Sequence, residues 1–118
     1  MPTTTNIFRH IKDPISYAEG EHIFHQDDPA DSMFAVIEGE VNIFVQGRLV
    51  RACGPGEIFG EMGLIEHQPR LGDAVAKTAC KLAKVNEDRF NYMVQQTPNF
   101  ALTVMRVLSE RLRSEDLA

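Results

Sequence analysis

Glycine placement constrains this chain more than any other feature. Gly20, Gly39, Gly47 and Gly56 mark turns between short apolar or alternating runs in the first half of the sequence. Between them, Ile15 and Tyr17 alternate, Ile23-Phe24 is a short strand, and Met33 to Ile37 is a strong apolar strand. Val41, Ile43 and Val45 alternate with Asn42, Phe44 and Gln46, the period of a half-buried strand. Gln46-Gly47 is a hairpin turn, and Leu49 to Cys53 is its returning partner. Many short strands with glycine turns, in a chain of 118 residues, predict a mainly β fold with flanking helices, a jelly-roll-like β-roll.

The length suits a single domain with one core. No apolar run approaches the ~20 residues of a membrane helix, and the first ten residues lack the basic start and apolar centre of a secretory signal. Cys53 and Cys80 show no metal-ligand spacing and read as small buried hydrophobes in a reducing cytoplasm. A net charge of −5 lacks the basic balance of nucleic-acid binders, so direct DNA binding is not expected.

The two ends read as helical. Ile7, Phe8 and Ile11 predict a short helix over Asn6 to Lys12, within an N-terminal segment 1–13 whose first five residues fray. The β-roll spans 14–86, ending in a strand over Lys81 to Val85, and helices fill 87–118. Asn86 is placed to cap the first, with Glu87 and Asp88 in its opening turn and Phe90, Met93 and Val94 on its apolar face. Thr97-Pro98 starts the second, with an apolar stripe of Ala101, Val104, Met105, Leu108 and Leu112.

Most of the functional information lies in 56–79. A glycine-flanked acid, Phe59-Gly60-Glu61-Met62-Gly63-Leu64, is followed nine positions after Glu61 by Arg70, itself preceded by Pro69. Gly60 and Gly63 lack side chains, so backbone can approach a ligand closely. A short helix over Glu61 to Glu66 would present free N–H groups and a positive dipole end to a phosphate. Arg70 would add a planar fork of donors. Taken singly, Glu61 could be an acid that merely suits the helix dipole, and Arg70 a solvated charge after a proline turn.

The run F-G-E-M-G-L-I, the loop to P-R and the following A-V-A-K-T-A-C resemble the phosphate-binding cassette of the cyclic nucleotide-binding domain family. That family includes catabolite-activator regulators, regulatory subunits of cyclic-AMP-dependent kinase and cyclic-nucleotide-gated channels. E-G-E-H-I-F-H-Q-D-D-P-A-D-S-M-F-A-V-I-E-G-E-V resembles its first hairpins, with Asp27 where the family usually has glycine. The likeness covers roughly 14–113. It implies a double-stranded β-helix with a cassette helix and C-terminal B and C helices. It makes Arg70 the phosphate ligand and Glu61 the ribose 2′-hydroxyl ligand. Gly60, Met62, Gly63, Leu71 and Gly72 complete the site through backbone and packing. The implied protein is a non-enzymatic, stand-alone sensor of cyclic AMP rather than cyclic GMP. Movement of its C-terminal helices would signal to a separate effector protein, and the last helix could pair with a second copy.

Leu71 stands where many relatives carry Ala, Ser or Thr, and keeps only its backbone N–H for the phosphate. Asp73 would repel an anion if it pointed inward and be harmless if it pointed to solvent. Two other classes bear on the sequence. One is a degenerate member with no nucleotide, serving as a protein-docking module. The other is a cupin-like metalloenzyme, for which His22 and His25 are three apart and would face opposite sides of a strand.

Overall fold

The structure, a computed structural model, describes residues 4–114. Among the described residues, eight strands form two antiparallel four-stranded sheets. The first takes β1 (Ile15–Tyr17), β8 (Cys80–Asn86), β3 (Ser32–Glu38) and β6 (Ile58–Phe59) in that spatial order. The second takes β2 (His22–Phe24), β7 (Asp73–Ala76), β4 (Val41–Val45) and β5 (Arg48–Cys53). Helix α1 (Glu61–Glu66) interrupts the roll between β6 and β7, and α2 (Glu87–Gln96) and α3 (Asn99–Arg113) follow it. Gln46 (φ 51) and Gly47 (φ 77) both sit in the left-handed region, as a tight hairpin twisted like its strands requires.

Strand alternation builds two cores. On β3, Phe34 and Val36 point between the sheets, where they meet Phe24, Val41, Ile43, Cys53, Phe59 and Leu82. Met33 and Ala35 point the other way, onto a second cluster with Phe8, Ile58, Leu64, Val85, Phe100, Val104 and Val107. The helices therefore cover the outer face of the first sheet, and β3 is buried on both faces.

The ends depart from the sequence expectations. The fraying expected of residues 1–5 falls partly on 1–3, outside the described residues, but the Thr5 N–H donates to the Gly56 carbonyl at 2.7 Å. Asn6 to Lys12 is not a helix. Arg9 N–H bonds Asn6 O and Ile11 N–H bonds Phe8 O, at 3.1 and 3.2 Å, giving successive turns. The placement of the segment comes from Phe8, buried edge-on against Phe100 with ring centroids 5.6 Å apart.

Asn86 caps α2 as its position suggests, its Oδ1 accepting from the Arg89 N–H at 2.9 Å. No side chain caps α3, and the Thr97 N–H instead closes α2 on Met93 O. The buried face of α3 is Phe100, Val104, Val107 and Arg111. Of the expected stripe, Met105 and Leu112 are 60% and 64% exposed. The helix is turned from that stripe because Phe100 packs between Phe8 and Phe90, and this rotation carries Arg111 inward.

Candidate functional site

Phe59 ends β6 in the inter-sheet core, and Gly60 turns the chain at φ 73 into α1. α1 ends at His67, itself left-handed at φ 54, whose N–H donates to Gly63 O. The loop that follows returns to the roll at Arg70. Reciprocal backbone bonds fix it to the β2–β3 loop: Asp27 N–H to Arg70 O and Arg70 N–H to Asp28 O, both 2.9 Å. Asp27 holds φ 70, so aspartate does occupy the left-handed position expected of it.

The Arg70 side chain runs back beneath α1 and is only 7% exposed. Its Nη1 donates to Gly60 O at 2.9 Å and its Nη2 to Ser32 O at 2.8 Å. The guanidinium carbon lies 4.2 Å from the Phe24 ring centroid, a cation–π contact. Its Nε is buried without a hydrogen-bond partner. Burial pulls the guanidinium pKa down, while the nearby carboxylates of Asp31, Asp28 and Glu61 push it back up. None of these carboxylates is hydrogen-bonded to it. A Cβ on Gly63 would stand 2.5 Å from Arg70 Nη1 and 2.7 Å from Ala30 Cβ. One on Gly60 would stand 2.8 Å from the same nitrogen. Both glycines therefore make room for the protein's own arginine, a reason beyond the ligand approach expected from the sequence.

Arg70 borders a hollow of about 650 Å³ at the end of the roll. Gly60, Met62, Gly63, Leu71 and Gly72 line it, and Phe24, Ile43 and Val45 supply an apolar wall. Its size falls within the range of small-molecule sites, and its polar groups are few, as such sites require. Leu71 is 53% exposed at the margin. A Cβ on Gly72 would stand 2.1 Å from Phe44 O, so glycine is needed to bring the cassette against the end of β4. Asp73 does not face the hollow; its Oδ1 accepts the Gln26 N–H at 2.8 Å.

Glu61 is the exception among the expected site residues. It is 1% exposed and points away from the hollow, toward α3. Arg111 Nη1 donates to its Oε1 and Arg111 Nη2 to Ile58 O, in a buried ion pair. Glu61 Oε2 has no partner. The carboxylate that the sequence assigns to a ribose hydroxyl is here paired with the guanidinium from α3. Sequence reasoning missed Arg111 altogether; the signal was its spacing of four and seven from Val107 and Val104 on one helical face.

The histidines also differ from expectation. His22 and His25 do not face opposite sides; their rings stack with centroids 4.1 Å apart and planes 5° from parallel. A register shift between His22 and Phe24, followed by the turn at His25, undoes the simple alternation. Among the described residues, no group of three or more His, Cys, Asp or Glu could hold a metal ion. Cys53 and Cys80 are buried free thiols whose pKa values burial pushes up. No helix among the described residues is long and apolar enough to cross a membrane.

Comparison with known proteins matches residues 14–97 to the cyclic nucleotide-binding domain. The chain is 32% identical to the "Cyclic AMP receptor protein" of Thermus thermophilus over 106 residues, which cover 86% of this chain and 49% of that one. It thus spans about half the length of that relative. Among solved structures, the Thermus thermophilus catabolite activator protein superposes with a TM-score of 0.81 at 27% identity, covering 96% of this chain and 61% of that one. A chain from a cyclic-GMP-dependent signalling pathway that regulates bacterial phytopathogenesis superposes with a TM-score of 0.75 at 26% identity, covering 85% and 84%.

Proposed function

The chain belongs to the cyclic nucleotide-binding domain family, and from that premise we propose that it is a cyclic AMP sensor acting on a separate effector protein. The observation that carries this reading is Arg70: a buried guanidinium at the edge of a nucleotide-sized hollow, with its Nε unpartnered and no carboxylate hydrogen-bonded to it. A buried cation with an unused donor is costly, and a ring phosphate would supply both the charge and the acceptor. The apolar wall of Phe24, Ile43 and Val45 suits the sugar and base. Leu71, which offers no hydroxyl, favours cyclic AMP over cyclic GMP in this reading.

The signal would travel through α1. Arg70 holds Gly60 O at the helix entrance, and the next residue, Glu61, holds Arg111 on α3. A phosphate that draws on the guanidinium shifts Gly60, and Glu61 moves with it. The effector, or a second copy of the chain, reads the outcome on the outward residues Leu102, Met105 and Leu112. In this reading the chain performs no catalysis and works in the cytoplasm.

Calorimetric titration with cyclic AMP and cyclic GMP tests the proposal. Saturable binding of cyclic AMP, weakened about a hundredfold in Arg70→Ala with the fold intact, supports it. At one hundred times its dissociation constant the ligand should stabilise the fold by ~2.7 kcal/mol. An unchanged melting temperature with both nucleotides would instead support a docking module.

A further inference from the structure

We infer that Asp73 is a positioning residue for anion capture, holding the β2–β3 loop in the form that fixes Arg70; this rests on the reading of Arg70 as the phosphate ligand. Asp73 opens β7, paired with Phe44 on β4, and sits three residues beyond Arg70. Its Oδ1 reaches across to the Gln26 N–H at 2.8 Å, a contact spanning 47 residues of sequence. The peptide after Gln26 begins the reciprocal pair with Arg70, through Asp27 N–H to Arg70 O and Arg70 N–H to Asp28 O. Asp28 closes the same turn from within, its Oδ2 accepting the His25 N–H at 2.8 Å.

The loop is thus fastened at three successive amides. Asp28 holds His25, Asp73 holds Gln26, and the backbone of Arg70 holds Asp27. Only the second fastening ties the loop to β7, the strand that continues from the cassette. Without it, the turn around Asp27, already in the left-handed region, is held to the cassette only by the Arg70 backbone and by the β2–β7 pairing that ends at Phe24 and Ala74. Gln26 and Asp27 also border the hollow, so the same clasp shapes its wall.

The role is that of an acceptor, not of a charge. The carboxylates that raise the Arg70 pKa are Asp31, Asp28 and Glu61, and Asp73 is not among them. Asparagine keeps an Oδ1 acceptor and should substitute, whereas alanine should not.

The test compares the wild-type chain, Asp73→Ala and Asp73→Asn. Cyclic AMP and cyclic GMP affinities are measured by calorimetry, ligand-free stability by urea unfolding, and amide exchange by NMR. Asp73→Ala should bind the nucleotide about fivefold more weakly, the worth of one side-chain hydrogen bond. Its urea stability should fall by no more than the worth of that same bond, with faster exchange at the Gln26, Asp27 and Arg70 amides. Asp73→Asn should restore both readouts. Wild-type affinity in the alanine variant, or equal weakening in the asparagine variant, overturns the assignment. So does unchanged exchange at those amides. Should the wild-type chain bind neither nucleotide, the sensor reading fails by itself, and the exchange data decide whether the clasp exists.

Discussion

Two buried arginines flank α1, and they are kept in opposite ways. Arg111, on the α3 side, meets the carboxylate of Glu61, so its charge is cancelled within the protein. Arg70, on the hollow side, meets the carbonyls of Gly60 and Ser32 and the face of Phe24. Carbonyls and a ring face satisfy donors and attract a cation, but they carry no net charge to cancel it. One arginine is structural because its counter-charge is built in. The carboxylates nearest the other, Asp31, Asp28 and Glu61, act on it only at a distance, and none is hydrogen-bonded to it.

That contrast can be broken first at the structural end. Arg111→Ala leaves Glu61 buried and unpaired, and should cost about 3–5 kcal/mol in urea unfolding. Changing both partners, to Met at 111 and Leu at 61, should recover most of that loss. A double variant as unstable as the single one would show that the pair is not what the helix needs. At the other end, Arg70→Ala should lower cyclic AMP affinity by about a hundredfold, the upper end of what one charge-assisted bond is worth, while the urea midpoint falls far less than in Arg111→Ala. Comparable destabilisation by both changes would mean that the two arginines hold the fold equally.

Gly63→Ala sharpens the contrast further. A methyl 2.5 Å from Nη1 must displace the guanidinium, so affinity should drop about tenfold with Arg70 still present. The smallest effect lies outside both regions, at the surface clip between Asp13 and Arg89, bonded at 2.7 and 3.0 Å. The Arg89 hydrogen bond holds the Asp13 carboxyl below its ordinary value of 3.8. A depressed carboxylate stabilises the fold above that value, and the contribution is lost as pH falls through the lower folded value. Arg89→Ala should therefore flatten the acid limb of the stability curve slightly, as followed by circular dichroism against pH.

Much of the roll was legible because its information is local. Gln46-Gly47, Gly39 and the alternation of Val41, Ile43 and Val45 each act within a few residues, and the strands appear where those signals lie. β6 was not legible: two residues, Ile58 and Phe59, carry no period. At the site, Arg70 and the lining residues from Gly60 to Gly72 could be read from one contiguous segment. The ion pair of Glu61 could not be read there, since its partner sits 50 residues away on a helix whose arginines are assumed to be solvated. The α3 face was misread for the same reason. Met105 and Leu112 look like core by composition, yet the rotation was decided by Phe8 and Phe90, which belong to other elements.

Strand β3 has one more consequence. Met33 belongs to the packing beneath the last helix, and its neighbour Ser32 lends the carbonyl on which Arg70 rests. The receptor and the helical flank are therefore separated by a single peptide link as well as joined through α1. A compound wedged under α3, or an overlarge side chain at 33, would detune nucleotide capture from behind without ever entering the hollow.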